Sequence, residues 1–328
     1  MSATSTSATI HYNESNTSPT VVVVLCHGFQ GSHKDFHRLV AHLVSTFSEK
    51  NQSVFILTPT SSEGWPGPFH PTRQGTLACA ARAHQELVAV INTHPAATCL
   101  SSLIVVGHSF GGVYSRAMLR LLHADHTIPE RLTPLGFISV ASPHLGIRWR
   151  PSVWTSICQF AARTLAGVTG KELLLEDEAV VLLAISSNEY LEALQLFPAL
   201  YCYGNVFYDV QVPLCTATIR SRNPYHHPSN QRTIPEACYP SIVEPGLAGQ
   251  ETEDEPAMMF SSNLLGDTIR LIHNNLNQLE WTRIDCICGV LHCHNQIIGN
   301  HPPFFDTGID VVVHLSKTIQ KLSVVGSN

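Results

Sequence analysis

At 328 residues, with 44% hydrophobic and only 13% charged side chains, the chain suits one large domain and is too apolar for a disordered or coiled-coil protein. Its net charge of -6 argues against a nucleic-acid partner, because a phosphate backbone demands a basic face. The same charge leaves room for peripheral contact with a membrane, where apolar insertion can outweigh it.

Residues 1–19 are rich in Ser, Thr and Asn, with no basic or apolar core, and read as a disordered tail rather than a signal peptide. The folded domain is expected over 20–328. Val21–Cys26 is a continuous β-branched run, the pattern of a buried parallel strand. Phe36, Leu39, Val40, Leu43, Val44 and Phe47 then share one helical face. A strand at 54–57 and a Gly/Pro-rich loop over 61–71 follow, then a helix marked by Leu77, Ala80, Leu87 and Ile91. Further strands are expected at 103–106 and 135–140, separated by a helix over 113–122. This alternation predicts a mostly parallel central sheet with helices on both faces.

The rhythm changes after Pro143. Val153, Ile157, Phe160 and Val168 suggest one amphipathic helix, and the leucine-rich stretch over 173–196 suggests more. Residues 144–197 therefore read as a helical lid or cap insertion; ordinary outer helices of the sheet are the alternative. A strand at 200–203 resumes the sheet, and 213–260 reads as an irregular insertion rich in Pro, Ser and acidic residues. A helix carrying Leu265, Ile269, Ile272 and Leu276, a last strand over 284–291 and a terminal helix carrying Val312, Leu315 and Ile319 complete the chain. The ten cysteines, without a secretory signal, are expected as reduced thiols of a cytoplasmic protein that can touch a membrane. No apolar run is long enough to cross a bilayer.

Gly107-His108-Ser109-Phe110-Gly111 matches G-x-S-x-G between a strand and a helix, the setting of a nucleophile elbow. Without that setting it would be a glycine-rich turn with an incidental serine. Acyl transfer also needs fixed donors for a developing oxyanion. The N–H of Phe110 is one candidate. The loop His27-Gly28-Phe29-Gln30-Gly31 offers the second, with Phe29 first and Gln30 as the alternative. Chain order then requires an acid and a histidine, in that sequence. Asp209 lies just past the 200–203 strand, whereas Asp177 falls in the lid, Asp267 on a helix and Asp285 near the expected start of the last strand. Of the nineteen histidines, His292, His294 and His301 follow the last strand. His294 is favoured and His292 comes second; spacing alone does not separate them.

Four segments together resemble a known family, the putative serine esterases of the lipase-like α/β-hydrolase superfamily. They are Val24 to Gly31, Val106 to Gly112, Ala141-Ser142-Pro143-His144-Leu145-Gly146, and Tyr201 to Pro213 with Asn205 and Asp209 placed as in that family. The resemblance covers roughly residues 20–300. It implies an α/β-hydrolase fold and lipase-like or esterase-like activity on a small-molecule or lipid ester. It also favours His294, since His294-Asn295-Gln296-Ile297 fits the family's closing histidine better than His292 does.

The expected reaction is two-step acyl transfer through Ser109, aided by His294 and Asp209, and this chemistry implies no cofactor. A thioesterase or acyltransferase could use the same three residues. A hydrolase fold serving only as a binding module is the alternative from another class, although such proteins usually lose a triad member. A zinc site is not expected: Cys286, Cys288, His292, Cys293 and His294 cluster, but lack the paired spacing that structural zinc prefers.

Overall fold

In the computed structural model, residues 8–12, 18–147, 166–178, 180–225, 235–236, 239–243, 264–301 and 307–325 are described. The sheet is built around Val21–Cys26 (β2), which is buried at every position. Successive side chains of a strand point to opposite faces. Val22, Val24 and Cys26 accordingly enter one core, and Val21, Val23 and Leu25 the other.

The strands are Thr9–Tyr12 (β1), β2, Phe55–Thr58 (β3), Ser102–His108 (β4), Thr133–Val140 (β5), Leu200–Asn205 (β6), Pro235–Glu236 (β7), Tyr239–Val243 (β8) and Trp281–Cys286 (β9). Their order across the sheet is β1-β3-β2-β4-β5-β6-β9-β8-β7. The six from β3 to β9 run parallel, while β1 and β8 add antiparallel edges. Helices cover both faces. His37–Glu49 (α1) packs with Ile309–Val325 near the C-terminus on one side, and Thr76–Thr93 (α2) with Phe110–Ala124 (α3) on the other. This is the α/β-hydrolase fold. No helix among the described residues is long and apolar enough to cross a membrane.

Four expectations need correction. The supposed tail contributes β1, whose Thr9–Tyr12 ladder pairs with the otherwise open edge of β3 while Ile10 packs against the core. The polar residues around it hid a short strand that an available edge organises. The last strand runs over 281–286 rather than 284–291. Its alternation of Trp281, Thr282 and Arg283 conceals a start nearer the sheet's rim, and Val290 and Leu291 are exposed loop residues. Asp285 therefore sits at the C-terminal end of its strand, not at its start. The 213–260 stretch is regular in part, holding the helix Leu214–Ala217, β7 and β8; its residues 226–234, 237–238 and 244–260 lie outside the described ones.

The 144–197 segment divides. Residues 148–165, including the helix expected from Val153, Ile157 and Phe160, lie outside the described residues. Gly167–Leu173 (α4) packs over the turn Pro71–Gln74 near the site. Val181–Ala184 (α5) precedes Asn188–Gln195 (α6), which lies along α3 with Glu189 paired to Arg120. Here the chain behaves as an outer helix of the sheet.

Candidate active site

The elbow is dictated by space. Ser109 joins β4 to α3 at φ 54° and ψ -128°, a conformation that costs a non-glycine residue roughly 1–3 kcal/mol. Its N–H donates to the Val140 carbonyl at 2.8 Å, fixing it against β5. The flanking glycines are required by close approach. A Cβ on Gly107 would lie 2.4 Å from the Gly112 Cα, and one on Gly111 2.0 Å from the Cys26 carbonyl oxygen. Ser142 supports the turn from below, its hydroxyl donating to the Gly107 carbonyl at 3.3 Å.

Asp209 stands in the turn after β6. Its Oδ1 accepts the N–H groups of Gln211 at 3.1 Å and Val212 at 2.9 Å, and its Oδ2 accepts Asn205 Nδ2 at 3.0 Å. Burial would raise its carboxyl pKa, but the neighbouring His294 and these hydrogen bonds outweigh burial and hold it below the usual carboxylate range.

His294 lies on the one-turn helix Cys293–Gln296 (α7) after β9. Its Nδ1 is 2.9 Å from Asp209 Oδ2, and its Nε2 is 2.9 Å from Ser109 Oγ. A carboxylate can only accept, so the hydrogen-bond network puts the imidazole proton on Nδ1 and leaves Nε2 facing the serine. The carbonyl of His294 accepts a bond from His108 Nε2 at 2.9 Å, and that of Cys293 accepts one from Asn205 at 3.2 Å. The loop ahead of α7 is held by Gln296, which accepts from the Gly289 N–H and donates to the Leu291 carbonyl.

The structure thus brings Ser109, Asp209 and His294 into one hydrogen-bonded chain. His292 is an exposed residue capping α7 at φ 61°. His301 Nε2 accepts a hydrogen bond from Arg38 Nη1 of α1 at 2.8 Å. The other carboxylates are engaged elsewhere. Asp177 caps α5 through the Val181 N–H, Asp267 pairs with Arg270, and Asp285 holds Arg220 and Tyr225.

In the loop after β2, the N–H of Gln30 donates to Thr72 Oγ1 at 3.0 Å. The N–H of Phe29 is in none of the hydrogen bonds among described residues, and that of Phe110, first in α3, has no intrahelical acceptor. Both residues border a cavity of about 380 Å³ with a predominantly apolar lining, which also includes Pro143, Ile147, Leu173 and Val212. Helix α4 forms one wall, tied down by two side chains. Thr169 Oγ1 accepts the Gly75 N–H at 3.0 Å, and Glu172 Oε2 accepts both the N–H and the hydroxyl of Thr76, each at 2.7 Å. Gly75 is the N-cap of α2 and has no side chain, so Glu172 of α4 caps that helix instead.

Sequence reasoning missed His108 and Glu172. His108 occupies the variable position of its motif, and nothing in its spacing marks it. It is fully buried, and burial together with His294 pushes its imidazole down to about 3. Glu172 reads as one acidic residue in a leucine-rich stretch. In the C-terminal cysteine cluster, burial pushes the Cys286, Cys288 and Cys293 thiols up. Among the described residues, no three His, Cys, Asp or Glu side chains are placed to hold an ion.

The family described as "Putative serine esterase (DUF676)" matches residues 16–222. Over 120 residues, 35% of this chain, the sequence is 31% identical to a "Putative lipase ROG1" of Saccharomyces cerevisiae; the match spans 17% of that relative. Solved structures of similar fold include carboxyl esterase 2 (TmelEST2) from Tuber melanosporum, 10% identical at a TM-score of 0.46, covering 96% of this chain and 82% of that one. Est1E from Butyrivibrio proteoclasticus is 9% identical at a TM-score of 0.43, covering 97% and 94% respectively.

Proposed function

The chain belongs to the putative serine esterase family, and from that premise we propose that it is a serine hydrolase cleaving carboxylic esters with apolar acyl groups. Ser109 is the nucleophile. His294 Nε2 takes the Ser109 proton as Oγ attacks the acyl carbonyl, then gives it to the leaving alcohol. Asp209 holds the imidazole in the productive tautomer and stabilises its charged form. The N–H groups of Phe29 and Phe110 receive the oxyanion. Water then repeats the sequence on the acyl-enzyme, releasing the acid.

One observation carries this reading: His294 lies 2.9 Å from both Ser109 Oγ and Asp209 Oδ2. The Gln30 N–H already has an acceptor in Thr72, which favours Phe29 as the second oxyanion donor. The apolar lining supports an acyl chain rather than a polar group as the occupant of the cavity.

A fluorophosphonate probe tests the proposal. The wild-type chain should label at Ser109 and Ser109→Ala should not, with kcat on an aryl ester falling by roughly 10⁶. Labelling that persists in the folded variant would show that another residue is the nucleophile.

A further inference from the structure

Large exposed apolar side chains are unevenly spread over the described surface. Trp65 and Phe69 are 93% and 94% exposed, Val210 71%, Val290 62%, Leu291 61% and Val168 52%. They come from the segments that follow β3, β6, β9 and β5, so all belong to the edge of the sheet where the parallel strands end and Ser109 stands. Leu77, 47% exposed in the first turn of α2, lies toward the same edge, whereas Leu271 and Val324 are isolated positions on helix surfaces, which need no explanation.

The rim is uncharged as well as apolar. The stretch Gly64-Trp65-Pro66-Gly67-Pro68-Phe69-His70-Pro71-Thr72 contains no Asp, Glu, Lys or Arg. Neither does 287–296, and within 206–213 the only charge is the buried Asp209. The charges flanking it are scattered: Lys34, Lys171, Arg73 just past the stretch, Glu63, which is bonded to His33, and Arg82, which is engaged by Ser62, Gln74 and the Pro71 carbonyl. The Trp65 loop is anchored beside the cavity mouth, since Thr72 at its base accepts the Gln30 N–H and Gln30 lines the cavity.

We propose that this rim is a docking surface for an uncharged, zwitterionic lipid layer, with Trp65 and Phe69 as the inserting side chains. Aromatic residues favour the boundary between headgroups and acyl chains; a protein partner would call for polar groups around an apolar centre, and the Trp65 to Phe69 tip carries no charged, hydroxyl or amide side chain. The lack of a Lys/Arg cluster and the net charge of -6 favour a zwitterionic over an anionic surface. In its consequence for catalysis the inference rests on the esterase reading: an acyl chain could pass from the layer into the cavity without crossing water. The surface itself is argued from exposure and charge alone.

The test is co-sedimentation of the full chain, as Ser109→Ala, with phosphatidylcholine vesicles, with and without Trp65→Ser/Phe69→Ser; of the four tryptophans, the quenching by brominated phosphatidylcholine that Trp65→Ser removes is the part that reports on Trp65. The parent should bind and be quenched, with partitioning little changed by salt. The double substitution should weaken partitioning at least tenfold and, in the Ser109 background, leave turnover of a water-soluble short-chain ester within about twofold. Val290→Ser/Leu291→Ser should also weaken binding, which guards against a local effect of the first pair. Absence of binding, unchanged binding by both variants, or binding only when phosphatidylserine is added would overturn the proposal. So would concentration-dependent self-association abolished by the same substitutions, which would make the rim an interface between copies. A chain that binds vesicles but turns over no soluble ester would refute the esterase reading and leave the docking surface standing.

Discussion

Asp209→Asn changes one atom's chemistry and should disable the site through a tautomer. The Oδ1 position faces two backbone donors, Gln211 at 3.1 Å and Val212 at 2.9 Å, so the oxygen of the substituted amide must stay there. Its NH₂ then takes the Oδ2 position, 2.9 Å from His294 Nδ1 and 3.0 Å from Asn205 Nδ2. Two donors cannot share that gap. His294 must accept at Nδ1 and carry its proton on Nε2, where it points at Ser109 and can no longer receive the serine's proton. Asn205 could flip, because its buried Oδ1 has no partner among the described residues, but the flip would surrender its bond to the Cys293 carbonyl. A triad left in the wrong tautomer loses about 10⁴ in kcat, or ~5.5 kcal/mol of transition-state stabilisation. Steady-state hydrolysis of an aryl ester measures the first, and thermal unfolding checks that the fold persists. A folded variant that keeps more than a tenth of wild-type kcat would refute the argument and return the acid's role to another carboxylate.

His108 makes stability depend on pH. Its folded pKa of about 3 lies below the ordinary 6.5, so the unfolded chain binds the extra proton first. Its contribution is fully present above pH 6.5 and is lost as pH falls toward 3, by on the order of 4–5 kcal/mol. Urea midpoints between pH 7 and 4 should fall less steeply in His108→Gln than in wild type, and parallel profiles would count against it. Arg116 is fully buried; its Nη2 reaches Ser186 at 3.2 Å, while Nε and Nη1 have no partner among the described residues. Burial lowers its pKa to about 9, with no carboxylate opposing the shift. Arg116→Met should therefore be neutral or stabilising by about 1–4 kcal/mol in chemical denaturation; a loss of several kcal/mol would reveal an anionic partner. Glu172→Ala removes two 2.7 Å bonds from the start of α2 and should destabilise the fold by about 2–3 kcal/mol. An unchanged urea midpoint would mean that α4 is not held this way.

How legible each part was follows from what constrained it. The elbow could be read because steric exclusion is written directly in residue type: no side chain fits at 107 or 111, and glycine is the only residue without one. The parallel strands were legible for a related reason. A strand buried on both faces has no polar face to alternate with, so β2 is an unbroken apolar run and β4 and β5 each contain one, over 103–106 and 135–138. At the edges that signal fails: β1 needs only an open ladder to pair with, and β9 keeps polar residues at its start. The misplaced β9 also removed the argument against Asp285, whose true position satisfies the same end-of-strand criterion as that of Asp209. What separates the two is the surroundings. Asp285 is already neutralised by Arg220 and bonded to Tyr225, whereas Asp209 is surrounded by neutral donors that preserve its charge for one imidazole.

The choice between His292 and His294 has the same character. They lie two residues apart, His292 capping α7 and His294 within it, and the left-handed turn at His292 decides which ring reaches inward. That turn belongs to a loop closed by Gln296, with His108 tying the backbone of His294 back to β4. His108, beside Ser109, thus helps orient His294, 186 positions later in the chain, a constraint carried by contact and not by spacing. A motif search sees the serine and its glycines; the partner that holds the histidine becomes visible only when the two strand ends are brought together.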